Sequence, residues 1–149
     1  MPVDPDLAAR EFPPTEPYLV GREKVREFAR AVFATAPQHT DVAAARALGH
    51  ADVVAPPTFA MVIADQTLQQ LLADPSTGVV LERALHTDQQ FRYSRPIVAG
   101  DELTGKLTVT RVRQMGAGAM VSSETEVTDA TGAHVVTAAS TLLIGSGDE

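Results

Sequence analysis

The chain has 149 residues, a formal net charge of −7 and no cysteine. That length suits one domain with a core of its own, and the acidic balance argues against a nucleic-acid footprint or an anionic membrane surface. The lack of cysteine excludes a disulfide framework, a thiol nucleophile and thiolate metal ligation, and it fits a cytoplasmic setting.

Residues 1–20 are expected to form an irregular arm, because Pro2, Pro5, Pro13, Pro14 and Pro17 remove backbone donors. With Asp4, Asp6 and Glu11 and no apolar run, this arm does not read as a signal peptide. From Arg22 onward, Val25, Phe28, Ala29, Val32 and Phe33 recur at steps of three and four, which predicts a helix ending near Thr35, ahead of Pro37. Thr40-Asp41 caps a short second helix over 42–48, with Gly49 at its exit. A loop over 50–57 follows, and Ala55-Pro56-Pro57-Thr58 opens a longer helix over about 59–73. Its first half (Phe59, Met61, Val62, Ile63) is apolar all round, so other structure must wrap it. Beyond Asp74-Pro75-Ser76-Thr77-Gly78 the chain reads as strand: 79–85 leading into 86–93, then 102–113, 120–128 and 135–144. The turns are Met115-Gly116-Ala117-Gly118 and Asp129-Ala130-Thr131-Gly132. Helices followed by a run of antiparallel strands make an α+β pattern, with a long sheet around one apolar helix.

Residues 33–45 hold the densest chemistry: Phe33-Ala34-Thr35-Ala36-Pro37-Gln38-His39-Thr40-Asp41-Val42-Ala43-Ala44-Ala45. The segment resembles the signature of MaoC-like (R)-specific enoyl hydratases and dehydratases, Gly-Asp-x-Asn-Pro-apolar-His followed by a small residue. Pro37, His39 and Ala45 are in register with it. The Asp position is Ala34, and the Gly and Asn positions are Phe33 and Ala36. Removing water from a 3-hydroxyacyl thioester needs a base for the Cα proton and an acid for the leaving hydroxyl. It also needs donors for the thioester oxygen, commonly the N–H groups at a helix N-terminus. His39 without its carboxylate is half of such a pair. It is either a residual base facing an acyl pocket or a turn residue ahead of a helix cap. Asp41, the nearest carboxylate, is assigned to that cap.

Three further segments carry a resemblance over nearly the whole chain. They are Glu16-Pro17-Tyr18-Leu19-Val20-Gly21-Arg22-Glu23-Lys24-Val25-Arg26-Glu27-Phe28-Ala29, then Gly49-His50-Ala51-Asp52-Val53-Val54-Ala55-Pro56-Pro57-Thr58-Phe59, then the run from His86 through Arg95-Pro96 to Gly100-Asp101. In this order and spacing they resemble the N-terminal-type MaoC-like dehydratase family of actinobacteria, which includes the non-catalytic subunits of heterodimeric (3R)-hydroxyacyl-ACP dehydratases. The resemblance implies a single hot-dog domain over 1–149, with the helix 59–73 at its centre. It also implies that a MaoC-like partner carries the Asp/His dyad while this chain shapes the acyl channel. The subunits would dock side by side, and the acyl-phosphopantetheine arm would enter between them.

On that reading the N–H groups of Thr58, Phe59 and Ala60 could face a thioester carbonyl, the alternative being an ordinary helix start after two prolines. Arg95 could read a phosphopantetheine phosphate with its fork, the alternative being a salt bridge that closes the strand end. His86, Asp88 and Gln90 fall on one face by strand period, which the resemblance makes part of the dimerising edge. His50 and His134 have no partner pattern and read as surface residues. No spacing reads as a metal site and no glycine-rich loop as a nucleotide site, so no cofactor is expected. The expected function is therefore a subunit of a (3R)-hydroxyacyl-ACP or -CoA dehydratase in fatty-acid or polyketide chain elongation. One alternative is a weakly active homodimeric hydratase using His39. Another is a non-catalytic acyl-thioester-binding scaffold.

Overall fold

A computed structural model of the chain describes residues 2–147. Three helices, α1 (Arg22–Ala31), α2 (Val42–Ala47) and α3 (Met61–Ala73), accompany five strands. These are β1 (Tyr18–Leu19), β2 (Ala84–Tyr93), β3 (Glu102–Met115), β4 (Gly118–Thr128) and β5 (His134–Ile144). All pairings are antiparallel, and the order across the sheet is β1-β3-β4-β5-β2. The strands follow their side-chain period. In β3, Leu103, Leu107 and Val109 are buried, and in β4 so are Ala119, Val121, Ser123, Thr125 and Val127, all turned toward α3. β5 buries a continuous run, Val135 to Ala138, as its nearly unbroken apolar sequence demands. The sheet curls round α3 in the hot-dog arrangement.

The core divides along α3. Its first turns, with Phe59 just ahead of them, pack Ile63 against Val25, Ile97, Leu103, Val127 and Val135. Its later turns pack Leu68 and Leu71 against Leu107, Val121, Leu142 and Ile144. Gly105 lets helix and sheet meet: a Cβ there would stand 2.9 Å from Ile63 Cγ2, 3.0 Å from Thr67 Cγ2 and 3.2 Å from Thr125 Cγ2. Beside it the Thr67 hydroxyl donates to the Ala64 carbonyl at 2.7 Å, so at 2.6 Å it accepts from the Thr125 hydroxyl. Both buried hydroxyls are thereby satisfied.

Several boundaries differ from expectation. α1 stops at Ala31, not near Thr35, through a Schellman motif instead of Pro37. Phe33 takes the left-handed conformation (φ +58°), the Ala34 N–H reaches the Ala29 carbonyl at 2.8 Å, and the Phe33 N–H reaches that of Arg30 at 3.3 Å. The signature's Gly position is thus the left-handed residue after a helix, where glycine fits without strain. Phe33 sits there with 88% of its surface exposed. A left-handed non-glycine residue costs ~1–2 kcal/mol, and glycine returns part of that through the unfolded chain. Phe33→Gly is therefore expected to stabilise the protein by ~0.5–1 kcal/mol. An unchanged or lowered urea midpoint would show that the exposed ring has a partner worth keeping.

α3 begins at Met61 rather than 59, because Pro56–Ala60 forms tight turns, with Phe59 N–H to the Pro56 carbonyl (2.9 Å) and Met61 N–H to that of Thr58 (3.0 Å). Residues 79–85 do not lead in as a strand: Leu81–Arg83 is a 3₁₀ turn, and pairing starts at Ala84. The arm lacks regular structure over most of its length yet is tied down. The Ala9 N–H bonds the Val109 carbonyl, Phe12 that of Leu107 and Thr15 that of Gly105, at 2.8–2.9 Å, and Val3, Leu7 and Phe12 are buried. Together with β1 the arm covers the outer edge of β3. At the opposite edge, β2 has no strand on its outer side among the described residues. Among those residues no helix is long and apolar enough to cross a membrane.

Candidate functional site

A cleft of about 390 Å³ opens between the turn Pro37–His39, the segment ahead of α3 and the end of β2. His39, Val54, Pro57, Tyr93, Arg95 and Ile97 line it. The turn is fixed by the Pro37 ring and by the His39 N–H to the Ala36 carbonyl (3.1 Å). The Val54 N–H bonds the Gln38 carbonyl at 2.9 Å, and His39 Nδ1 lies 2.6 Å from the Val54 carbonyl oxygen. A carbonyl only accepts, so Nδ1 carries the proton, and in the neutral ring Nε2 is the basic nitrogen. His39 is thus half-buried and lines the cleft, as the pocket-facing reading of the motif requires.

The ring has no acidic partner among the described residues. Position 34 is alanine. Asp41 accepts from the N–H groups of Ala43 (2.8 Å) and Ala44 (3.2 Å) as the cap of α2, as expected. Asp52 is held by Arg22 at 2.8 Å, and that hydrogen bond is the main reason its carboxyl lies at about 2. Asp101 and Asp129 are taken by Arg95. Its Nη1 meets Asp101 Oδ2 at 2.8 Å, and its Nη2 meets Asp101 Oδ1 and Asp129 Oδ2 at 3.1 Å each. The ion pair, the alternative weighed for this residue, is the contact Arg95 makes. An incoming phosphate would meet a cation already balanced by two carboxylates and would have to displace one of them.

The start of α3 is also occupied. The Phe59 N–H is bonded within its turn, and Phe59 and Ala60 are fully buried while Thr58 is exposed. The Tyr93 hydroxyl donates to the Pro57 carbonyl at 2.5 Å, and the Ala60 N–H acts on the same oxygen. Burial pushes the Tyr93 phenol up to about 12, with the Ala60 amide pulling weakly the other way. It is therefore a neutral O–H at physiological pH.

Residues 7–138 match the family described as FAS1-like, dehydratase domain region. The chain belongs to this family. A UPF0336 protein of Leifsonia xyli subsp. xyli is 58% identical over 149 residues, covering 100% of this chain and 99% of the relative. Another, from Streptomyces coelicolor, is 45% identical over 149 residues with the same coverage. Among solved structures, a MaoC-like dehydratase superposes with a TM-score of 0.86 at 37% identity, over 95% of this chain and 43% of that one. The chain thus spans less than half the length of that dehydratase. The C-terminally truncated HadBC (3R-hydroxyacyl-ACP dehydratase) complex from Mycobacterium tuberculosis superposes with a TM-score of 0.83 at 29% identity, over 93% of this chain and 97% of that one.

In this FAS1-like dehydratase-family chain the structure also joins residues that sequence reasoning kept apart. His134, read as a surface residue without a partner, lies 2.5 Å from Ser94 Oγ through Nδ1 and 2.7 Å from Thr137 Oγ1 through Nε2. Tyr93 was missed because its hydroxyl acts 36 residues away, at Pro57, and nothing local announces that reach. The shared face of His86, Asp88 and Gln90 does not form. The β2–β5 register shifts between His86 and Asp88, so His86 stands opposite buried Leu142 and Asp88 opposite Thr141. His86 Nε2 instead meets Gln89 Oε1 at 3.1 Å.

The Arg95 ion pairs carry a pH signature. The Thr131 hydroxyl first, then Arg95, holds the Asp129 carboxyl at about 2, below its ordinary 3.8. A carboxylate depressed on folding stabilises the fold above its unfolded value, and that contribution is lost as pH falls from about 4 to about 2. Asp129→Asn is therefore expected to lower stability at neutral pH and to flatten the loss of stability between about pH 4 and 2. Urea midpoints at several pH values read this directly. Parallel curves for variant and wild type would show that Asp129 titrates alike in both states.

Proposed function

We propose that this chain is the non-catalytic subunit of a two-component (3R)-hydroxyacyl-thioester dehydratase, acting in the cytoplasm in fatty-acid or polyketide chain elongation. It contributes the fold, an open sheet edge and an apolar cleft, while a MaoC-like hot-dog partner contributes the Asp/His dyad. One observation carries the proposal: His39 faces the cleft with a protonated Nδ1 bound to a backbone carbonyl, and alanine stands where its carboxylate belongs. A lone imidazole can take one proton of the reaction and has nothing beside it to handle the other. The edge geometry supports a partner, because the arm and β1 close one side of the sheet and β2 leaves the other open. The likeness to the HadBC complex supports the class of partner. The test is hydration of crotonyl-CoA and crotonyl-ACP by the chain alone and together with its hot-dog partner. Turnover is expected only from the pair, with the two chains co-eluting. Robust turnover by the isolated chain, or none by the pair, would overturn the proposal.

A further inference from the structure

We propose that the Tyr93 hydroxyl fills the place of a thioester carbonyl at the start of α3, so that this chain's own cleft admits an apolar acyl tail and excludes the thioester group. This deepens the reading above and rests on it for the substrate class. The first N–H groups of a helix have no carbonyl partner within it, and a carbonyl-bearing ligand would accept from them. Here the Phe59 N–H already bonds the Pro56 carbonyl, and the Ala60 N–H is directed to an oxygen of the protein's own. That oxygen belongs to Tyr93, brought in by the last residue of β2, and it also donates to the Pro57 carbonyl at 2.5 Å. It stands in the same cleft as His39, whose other walls include Val54, Pro57 and Ile97.

The substitution is selective, because a phenol does two things that a thioester cannot combine. It accepts from Ala60 and donates to Pro57. A thioester carbonyl accepts only, so displacing Tyr93 would leave the Pro57 carbonyl unpaired in a desolvated site, which is the stronger form of discrimination. Burial holds the phenol in its neutral, donating form. The consequence is a division of labour. The thioester goes to the partner's dyad, and this subunit's cleft is left to the tail.

The proposal is tested on the full-length chain with butyryl-CoA and its thioether counterpart S-butyl-CoA, which differ only in the carbonyl. Dissociation constants are measured by calorimetry for wild type and Tyr93→Phe, which keeps the ring packed near Phe91 at a centroid distance of 6.3 Å. Wild type is expected to bind the two compounds with a ratio near unity. Tyr93→Phe is expected to favour butyryl-CoA by roughly fivefold to tenfold, the value of one amide hydrogen bond. Tyr93→Leu, a second way of removing the hydroxyl, should shift the ratio in the same direction. An unchanged ratio in both variants, a preference for butyryl-CoA already in wild type, or no binding by any of the proteins overturns the proposal. These outcomes are separable from failure of the two-subunit reading, which is read by turnover with the partner. A shifted ratio without partner-dependent turnover removes only the latter, and the reverse result removes only the role of Tyr93.

Discussion

In a Tyr93→Phe background, the pair Ala34→Asp and Ala36→Asn is expected to raise hydration of crotonyl-CoA by the isolated chain about 10²-fold, the lower end of what a positioned acid or base contributes. The gain should be smaller with Tyr93 in place. Three features support the expectation. His39 already lines the cleft, and its Nδ1 proton is fixed on the Val54 carbonyl, so the ring needs no reorientation to present Nε2. Position 34 is the residue just after the left-handed Phe33, held by its N–H to the Ala29 carbonyl, so a side chain there is set by a rigid helix end. Position 36 has extended backbone and starts the Pro37 turn, where asparagine side chains bond local amides. Initial rates are compared with those of Tyr93→Phe alone, with CD confirming the fold. A folded variant with no gain would mean that a carboxylate at position 34 cannot serve the His39 ring. The proton-transfer groups would then have to come wholly from the partner.

Phe59→Ala is expected to destabilise the protein by ~3–5 kcal/mol, a large share of the ~5–15 kcal/mol that holds such a domain together. Phe59 is fully buried and meets Phe28 edge to face, with ring centroids 5.3 Å apart and planes at 74°. It sits where α1, the turn ahead of α3 and the sheet converge, among Val25, Ile63, Ile97 and Leu103. The surrounding backbone is pinned by the Phe59 N–H to the Pro56 carbonyl and cannot readily close over the void. Phe59→Leu, which keeps most of the volume, should lose much less. Urea unfolding of both variants reads the difference. A loss below ~1.5 kcal/mol for alanine would mean that the cluster relaxes into the cavity.

The elements were legible in the sequence because their signals are local. Period-two burial in β3 and β4, the unbroken apolar run of β5, the Asp41 cap and the all-round apolar start of α3 each follow from near neighbours, and each is present in the fold. The missing half of the catalytic pair was equally plain, since Ala34 is read off a register. What sequence misjudged depended on contacts distant in the chain. The proline-rich arm became an edge cover because Val109, Leu107 and Gly105 offered it carbonyls. His86 and Asp88 parted because a bulge in β2 offset the strand period by one residue. Arg95 turned to Asp101 and Asp129, and Tyr93 to Pro57, because curling the sheet round α3 brings the end of β2 against the helix start and the β4–β5 turn. Local pattern decides which segments are helix or strand. Which polar groups meet in the cleft is decided only when that curvature closes, since each buried donor then takes whatever acceptor the packing brings within about 3 Å.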